Sequence, residues 1–536
     1  MKKSSTIRTL EHKAENGDIN ALFQLAEYYK QGKFVEEDHN QANLYTDKAT
    51  EIFIAQQSLK ITSIKLVGFR VFENVEIDFS NNIESNLTVI IGDNGAGKTT
   101  ILNAVAKTLS HLIIKIIRQG GKGESLTIAD INNNSHIEYA SIITKLKPTD
   151  NTTYNFELSK VKDGNKSSIQ GYYQEIKLLA DLYKSAIFKD SQFNLPLMAL
   201  YSANRTIDIK NTYQPDINKH WTQYDGYKNS LKGITNFELF FHWFESLENI
   251  NNASDNHILN KLATLQEQLI SEMQNNPSSE LIQSKLEEIK ELQNRSHQNQ
   301  SNKTILNMTQ AICKFIPGFE NLRIQRAPFY AVLVDKEGLT LNVQQLSQGE
   351  KSLIALVADI TYRLVLLNPS LADPLQGQGI VLIDEIDLHL HPKWQQSVIP
   401  NLLNTFPNIQ FVVSTHSPQV LSTIDSKCIR KLVHEIDGET GQLKSSVKPQ
   451  HTQTKGVSST DIMATYQETD PVPDIDEAKM LSKYKAMIQN NLNQSKEGQQ
   501  LRQNLNKHFG SQHQEILECD RLIRLINMKQ KLLQRK

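Results

Sequence analysis

The sequence predicts an α/β protein: a mostly parallel sheet with an antiparallel β subdomain, an inserted helical hairpin, an N-terminal helical extension and a helical C-terminal tail. Three observations predict it. From about 320 to 447, apolar strands at VLVD, IVLIDE and QFVVSTH alternate with helical stretches, the pattern of a mainly parallel sheet covered on both faces. From Ile61, ITSIKLVGFRVFENVEIDF alternates with period two, as half-buried strands do. The apolar run LTVII then ends in a glycine-rich turn that opens a helix over 100–118.

At 536 residues the chain is too long for one ordinary core, so two or three structural units are expected. Hydrophobic residues at 39% and charged residues at 22% describe a globular chain, not a disordered one. Lys+Arg 58 against Asp+Glu 59 gives a net charge of −1, which excludes a bulk basic field for nucleic acid and leaves only local patches. Cys313, Cys428 and Cys519 are too scattered for a disulfide framework or zinc cluster and point to a reducing compartment. The N-terminus lacks the apolar core of a signal peptide. No run approaches the roughly 18 apolar residues of a membrane span; the best, 352–368, contains Asp359 and Arg363. The expected location is cytoplasmic, with no membrane partner.

Residues 1–58 read as helical, with Ala14, Gly17, Ala21, Leu25, Tyr28, Gly32, Val35, Asp38, Ala42, Tyr45 and Ala49 at repeat positions. Their spacing resembles one Sel1-like helical-hairpin repeat; an ordinary amphipathic helix pair fits as well. A single repeat cannot bury its own faces and should dock on another part of the chain. Residues 59–235 form the first half of the main domain, with short strands and polar loops over 125–205 ending in the buried strand LPLMALY. Residues 236–310 suggest the hairpin: Leu259, Leu262, Leu265, Leu269 and Met273 stripe one arm, and Leu286, Ile289 and Leu292 the other. Residues 311–447 form the second half, and 448–536 a polar linker and helical tail. The last 16 residues of the tail hold six basic side chains and no acidic one, either a partner or phosphate contact or a solvated helix.

The first chemical anchor is Gly92-Asp93-Asn94-Gly95-Ala96-Gly97-Lys98-Thr99, a complete G-x4-G-K-[ST] loop between a strand and a helix. Backbone N–H groups from Asn94, Gly95, Ala96, Gly97, Lys98, Thr99 and Thr100 can curl around phosphate oxygens at a helix N-terminus. Lys98 supplies charge to the β and γ phosphates of ATP, and the Thr99 hydroxyl can ligate Mg²⁺. The second anchor is GIVLIDEIDLHLHP, whose apolar strand delivers Asp384 and Glu385 to its carboxyl end. Asp384 is the candidate Mg²⁺ ligand, and Glu385 the general base that polarises the attacking water. His389 and His391 in the same segment do not make a metal site, since the motif already explains it.

Leu346-Ser347-Gln348-Gly349-Glu350-Lys351, at the start of an apolar helix, resembles the signature of ABC ATPases. The resemblance implies that Ser347, Gln348, Gly349 and Glu350 contact, in trans, the γ-phosphate bound by a second subunit. The residue type suits that role: a hydroxyl, bare N–H groups and the positive end of a helix. It implies a switch histidine at His416 in Ser414-Thr415-His416-Ser417-Pro418, and a D-loop-like Asp387. Gly68-Phe69-Arg70 resembles the first strand of RecF- and SMC-like ATPases, where an arginine reaches the nucleotide. No clear Q-loop glutamine is present; Tyr201-Ser202-Ala203-Asn204-Arg205 is the best-placed element.

These motifs cover roughly 61–425 and resemble the RecF/OLD/SMC-related soluble ABC ATPases. The Toprim nuclease carboxylates of OLD proteins have no counterpart after His416, so no nuclease activity is expected of this chain alone. The size and short insertion are similar to the PtuA-type ATPases of Septu and retron-associated antiphage defence. That resemblance implies ATP and Mg²⁺ as cofactors and a homodimer or higher even-numbered oligomer. It also implies a partner HNH nuclease of the PtuB type, with a reverse transcriptase and its RNA–DNA product as further partners in retron systems. The alternative is a RecF/SMC-like ATPase acting directly on DNA in repair or recombination, which the basic loop with Lys115, Arg118 and Lys122 keeps open.

Overall fold

The computed structural model describes residues 5–533 apart from 81–85, 134–136, 163–170, 204–220, 236–239, 250–260, 266–299, 327–330, 437–442 and the single positions 119, 150, 262, 263, 317, 468 and 471. It divides into two compact units, Met1–Val457 and Ser458–Lys536.

The first unit opens with helices α1 (Ser5–Glu15), α2 (Ile19–Gln31) and α3 (His39–Gln56). Asp18 caps α2 by accepting the N–H groups of Asn20 at 2.9 Å and Ala21 at 3.1 Å, and Asp38 caps α3 in the same way. α3 docks on the main domain: its Phe53 meets Tyr183 edge to face, with ring centroids 4.9 Å apart.

Strands β1 (Lys60–Phe69) and β2 (Phe72–Asp78) form a hairpin in a four-stranded antiparallel sheet of order β2-β1-β4-β5. β4 (Tyr139–Thr149) and β5 (Thr152–Val161) complete it. The next strand, β3 (Leu87–Ile91), does not join this antiparallel sheet. All five residues of β3 are buried, so it belongs between covering layers in a different sheet. That six-stranded sheet has the order β13-β12-β3-β11-β10-β6. Its members are β6 (Leu197–Tyr201), β10 (Gly379–Ile383), β11 (Ile409–Ser414), β12 (Ile429–Ile436) and β13 (Leu443–Pro449). Every neighbouring pair is parallel except β12 and β13.

Two readings are corrected. The segment 125–205 contains a helix, α5 (Gln174–Lys189), where strands and loops were expected. Its buried Ile176, Leu179, Ala180, Tyr183 and Ala186 have helical spacing, which the polar residues between them obscured. VLVD lies in β8 (Ala331–Lys336), the middle of a three-stranded antiparallel sheet with β7 (Phe319–Gln325) and β9 (Leu339–Asn342), and not in the parallel sheet. Most of the expected hairpin, including Leu259, Leu262, Leu269, Met273, Leu286, Ile289 and Leu292, lies outside the described residues.

Helix α4 (Lys98–Ile117) follows the glycine-rich turn, α6 (Gln300–Phe315) runs across the expected hairpin boundary at 310, and α7 (Gln348–Leu367) and α8 (Pro392–Thr405) belong to the second half. Among the described residues α4, and not the 352–368 run, is long and apolar enough to cross a membrane. It is mostly buried within the protein, as a core helix is. The second unit consists of α9 (Ser459–Tyr466), α10 (Asp476–Gln489), α11 (Lys496–Phe509) and α12 (Gln514–Leu533). Its own small core contains Tyr484, Ile488, Leu505, Ile516 and Cys519.

Candidate active site

Because β3, β11 and β10 are adjacent, three segments distant in sequence end side by side at the carboxyl edge of the sheet. These are the loop 92–97, Ser414–His416 and Asp384–Glu385. Asp93, Asn94 and Gly95 form the exposed tip of the loop, whereas Ala96 and Lys98 are buried and Thr100 is half-buried. Gly97 has φ 100°, and a Cβ there would sit 2.5 Å from Phe72 Cζ and 2.8 Å from Val71 Cγ2. Only glycine allows the β1–β2 turn to rest so closely on the loop.

Lys98 Nζ donates to the carbonyls of Gly92 at 2.8 Å and Asp93 at 2.9 Å. Burial lowers the Lys98 pKa, and Asp384, Glu385, Asp93 and Asp387 work against that shift. Thr99 Oγ1 donates to Asp384 Oδ2 at 2.7 Å. Asp384 is 5% exposed, and its N–H donates to the carbonyl of Tyr201 at 2.8 Å. The Ser414 hydroxyl donates to Asp384 Oδ1 and accepts the Glu385 N–H, the latter at 2.8 Å. Glu385 sits at φ 44°, a turn that carries its side chain off the strand direction. The Thr415 hydroxyl donates to Asp387 Oδ1. His416 is half-buried; burial and the nearby Lys98 charge lower its pKa, partly opposed by Asp387, Glu385 and Asp93.

The oxygen pair from Thr99 and Asp384 fits Mg²⁺, which takes one or two protein oxygens and completes its shell with phosphate and water. Among the described residues no group of three or more His, Cys, Asp or Glu could hold a metal by itself. His391 instead caps α8, its Nδ1 accepting the Lys393 N–H at 3.3 Å.

The signature-like residues divide by exposure. Ser347 and Gln348 are exposed, whereas Gly349 and Glu350 are buried. A Cβ on Gly349 would lie 2.4 Å from the carbonyl oxygen of His389, so the first turn of α7 packs against the segment after Glu385. Glu350 Oε2 accepts the Ser347 N–H and hydroxyl, both at 2.8 Å, and Oε1 takes Lys336 Nζ at 2.6 Å. Both carboxylate oxygens are therefore engaged within the chain.

Arg70, at φ 50° in the β1–β2 turn, donates through Nε to Asp130 Oδ1 at 2.9 Å, and its N–H bonds the Asp130 carbonyl. Asn204 and Arg205 lie outside the described residues. Tyr201 is 1% exposed and donates to Asp359 Oδ2 at 2.8 Å, linking the Asp384 strand to α7. Ser414, Thr415 and Tyr201 orient the acidic segment without matching any motif; the local signal for them is a hydroxyl at or just past the end of an apolar strand.

A phosphate-type loop leading from a central parallel strand into a helix, faced by a carboxylate strand and flanked by a capped signature-like helix, defines a P-loop ATPase of the ABC type. Residues 59–421 match the AAA ATPase domain family, and the chain belongs to that family, among the retron- and Septu-associated ATPases. It is 34% identical to the Retron Ec83 probable ATPase of Escherichia coli, with 96% of each chain covered. It is 32% identical to the Retron Vc95 probable ATPase of Vibrio cholerae serotype O1 biovar El Tor, over 92% of this chain and 96% of that one. The Septu protein PtuA of Bacillus mycoides (strain KBAB4) is 23% identical, over 86% of this chain and 52% of PtuA.

Proposed function

We propose that this ATPase binds ATP with Mg²⁺ at the 92–99 loop, dimerises around it and thereby regulates a partner HNH nuclease in cytoplasmic antiphage defence. The observation that carries the nucleotide reading is the 2.7 Å approach of Thr99 Oγ1 to Asp384 Oδ2. Thr99 and Asp384 would hold the metal, whose charge would offset that of the phosphates. Glu385 takes a proton from the attacking water, and His416 faces the terminal phosphate. Ser347 and Gln348 of a second copy close the site. The defence context is supported by the retron and Septu relatives; the chain itself cuts no nucleic acid. A reverse transcriptase and its RNA–DNA product complete the assembly in a retron setting.

The test is reconstitution of the purified chain with the HNH protein of its own operon. Nuclease activity should differ between the ATP, ADP and nucleotide-free states, and the chain alone should leave DNA and RNA intact. Nucleotide-independent cleavage, or Mg²⁺-dependent cleavage by the chain alone that a point mutation in it abolishes, overturns the reading.

A second reading, direct action on DNA, is favoured by one cleft of about 710 Å³ between the N-terminal helices and α4–α5. Lys30, Lys115, Arg118, Lys177 and Lys184 line it, against Glu27 and Asp181. Tight, salt-sensitive duplex binding by the chain without any partner would support it.

A further inference from the structure

We infer that His434 is a positioning residue for the phosphate loop, acting through the Ala96 carbonyl; the inference rests on the reading of 92–99 as the ATP site. Parallel pairing of β12 with β3 reaches Lys431 opposite Ile91. There β3 ends and the loop begins, while β12 continues to Ile436. His434 therefore lies beside the loop and not beneath a strand. Its Nε2 is 3.1 Å from the Ala96 carbonyl oxygen. Its Nδ1 is 2.8 Å from the hydroxyl of Ser445, the residue directly opposite on β13.

The chemistry assigns the protons. A carbonyl only accepts, so Nε2 carries the hydrogen that bonds Ala96. In the neutral ring Nδ1 is then an acceptor, and Ser445, which is 6% exposed, donates to it. Ser445 holds the tautomer, and the tautomer holds the loop.

The consequence follows from peptide geometry. In a planar trans peptide the C=O of one residue and the N–H of the next point in opposite directions. Drawing the Ala96 carbonyl toward His434 turns the Gly97 N–H the other way, toward the inside of the loop where phosphate oxygens are bound. Gly97, at φ 100°, has a permissive backbone that a neighbour must hold in one orientation. His434 provides that restraint from outside the nucleotide site, without contacting phosphate.

The test compares ATP-analogue affinity of the full chain with that of His434→Ala, His434→Gln and Lys98→Ala, alongside thermal unfolding without nucleotide. His434→Ala is expected to weaken binding about tenfold, the value of one lost hydrogen bond. His434→Gln, whose amide N–H can reach the same carbonyl, should stay within about threefold of the parent. Both should melt near the parent. The ring ¹⁵N signals of the unmutated protein should report the Nε2–H tautomer, and Ser445→Ala should shift them toward a mixture. Parental affinity in His434→Ala, equal losses in the Ala and Gln variants, or an Nδ1–H tautomer in the parent overturns the inference. If the variants unfold, the ring signals of the unmutated protein decide. Lys98→Ala separates the two readings: retained affinity there removes the ATP site itself, whereas loss there with parental His434→Ala removes only the role of His434.

Discussion

Thr99 Oγ1 and Asp384 Oδ2 are 2.7 Å apart although 285 residues separate them in the chain. One lies in the first turn of the helix after β3 and the other directly follows β10, and β11 lies between those two strands. The contact therefore joins the two halves of the ATPase domain at its carboxyl edge. Ser414, from the intervening strand, holds the other oxygen of the same carboxylate. Thr99→Ala and Asp384→Asn are each expected to lower Mg²⁺-dependent turnover by about 10²-fold or more. Steady-state phosphate release against Mg²⁺ concentration checks this, and unchanged Mg²⁺ dependence in both would remove the pair from metal binding.

Glu385 leaves the strand at φ 44°, with its N–H held by Ser414. Glu385→Gln removes a general base while keeping size and hydrogen bonding. Turnover should fall about 10²–10⁴-fold with ATP still bound. Size-exclusion chromatography with ATP should show an enlarged dimer fraction. Parental turnover would exclude Glu385 as the base.

The exposure difference within the signature-like turn separates two roles. Ser347→Arg places a bulky cation on the surface where a second copy would close, so hydrolysis should stop while ATP binding at the 92–99 loop persists. The lost cap costs about 0.5–2 kcal/mol of stability. Loss of nucleotide binding in this variant would contradict a site shared between copies.

Glu350 makes the opposite prediction, a folding effect. Burial works to raise its pKa, but the bonds from Lys336 and Ser347 outweigh it and hold the carboxyl below its usual value. A depressed carboxyl pKa adds stability that is complete above the ordinary glutamate value of about 4.3 and is lost as pH falls below it. Lys336→Ala should therefore lower the melting temperature at neutral pH and flatten the acid limb of stability. An unchanged acid limb measured by calorimetry would refute the assignment.

The pair Asp359–Arg363 is a fifth test. The side chains are 0% and 1% exposed, with Arg363 Nε bonded to Asp359 Oδ2 at 2.7 Å. Arg363 also donates to the carbonyls of Gly226 and Lys228. Asp359→Ala leaves a buried guanidinium without its counter-ion and should cost about 3–5 kcal/mol by chemical denaturation. A loss below about 1 kcal/mol would mean that water reaches the site.

The sequence by itself determined the anchors. Residues 92–99 and 379–385 are short, contiguous motifs whose flanking apolar runs state their own secondary structure, and local spacing is enough to read them. Tertiary structure decided what those motifs meet. Whether VLVD joins the parallel sheet or a separate antiparallel one depends on its partners, because four apolar-rich residues suit either. Asp359 and Arg363 looked only like interruptions of an apolar run, and folding made them an ion pair tied to Tyr201 and the Asp384 strand. Ser347 and Glu350, three residues apart in one motif, differ in exposure because the helix turns one outward and Lys336 holds the other inside. His434 carries no motif at all; parallel pairing of β12 with β3 brings it to Ala96, a contact that spans 338 residues and that no local pattern encodes.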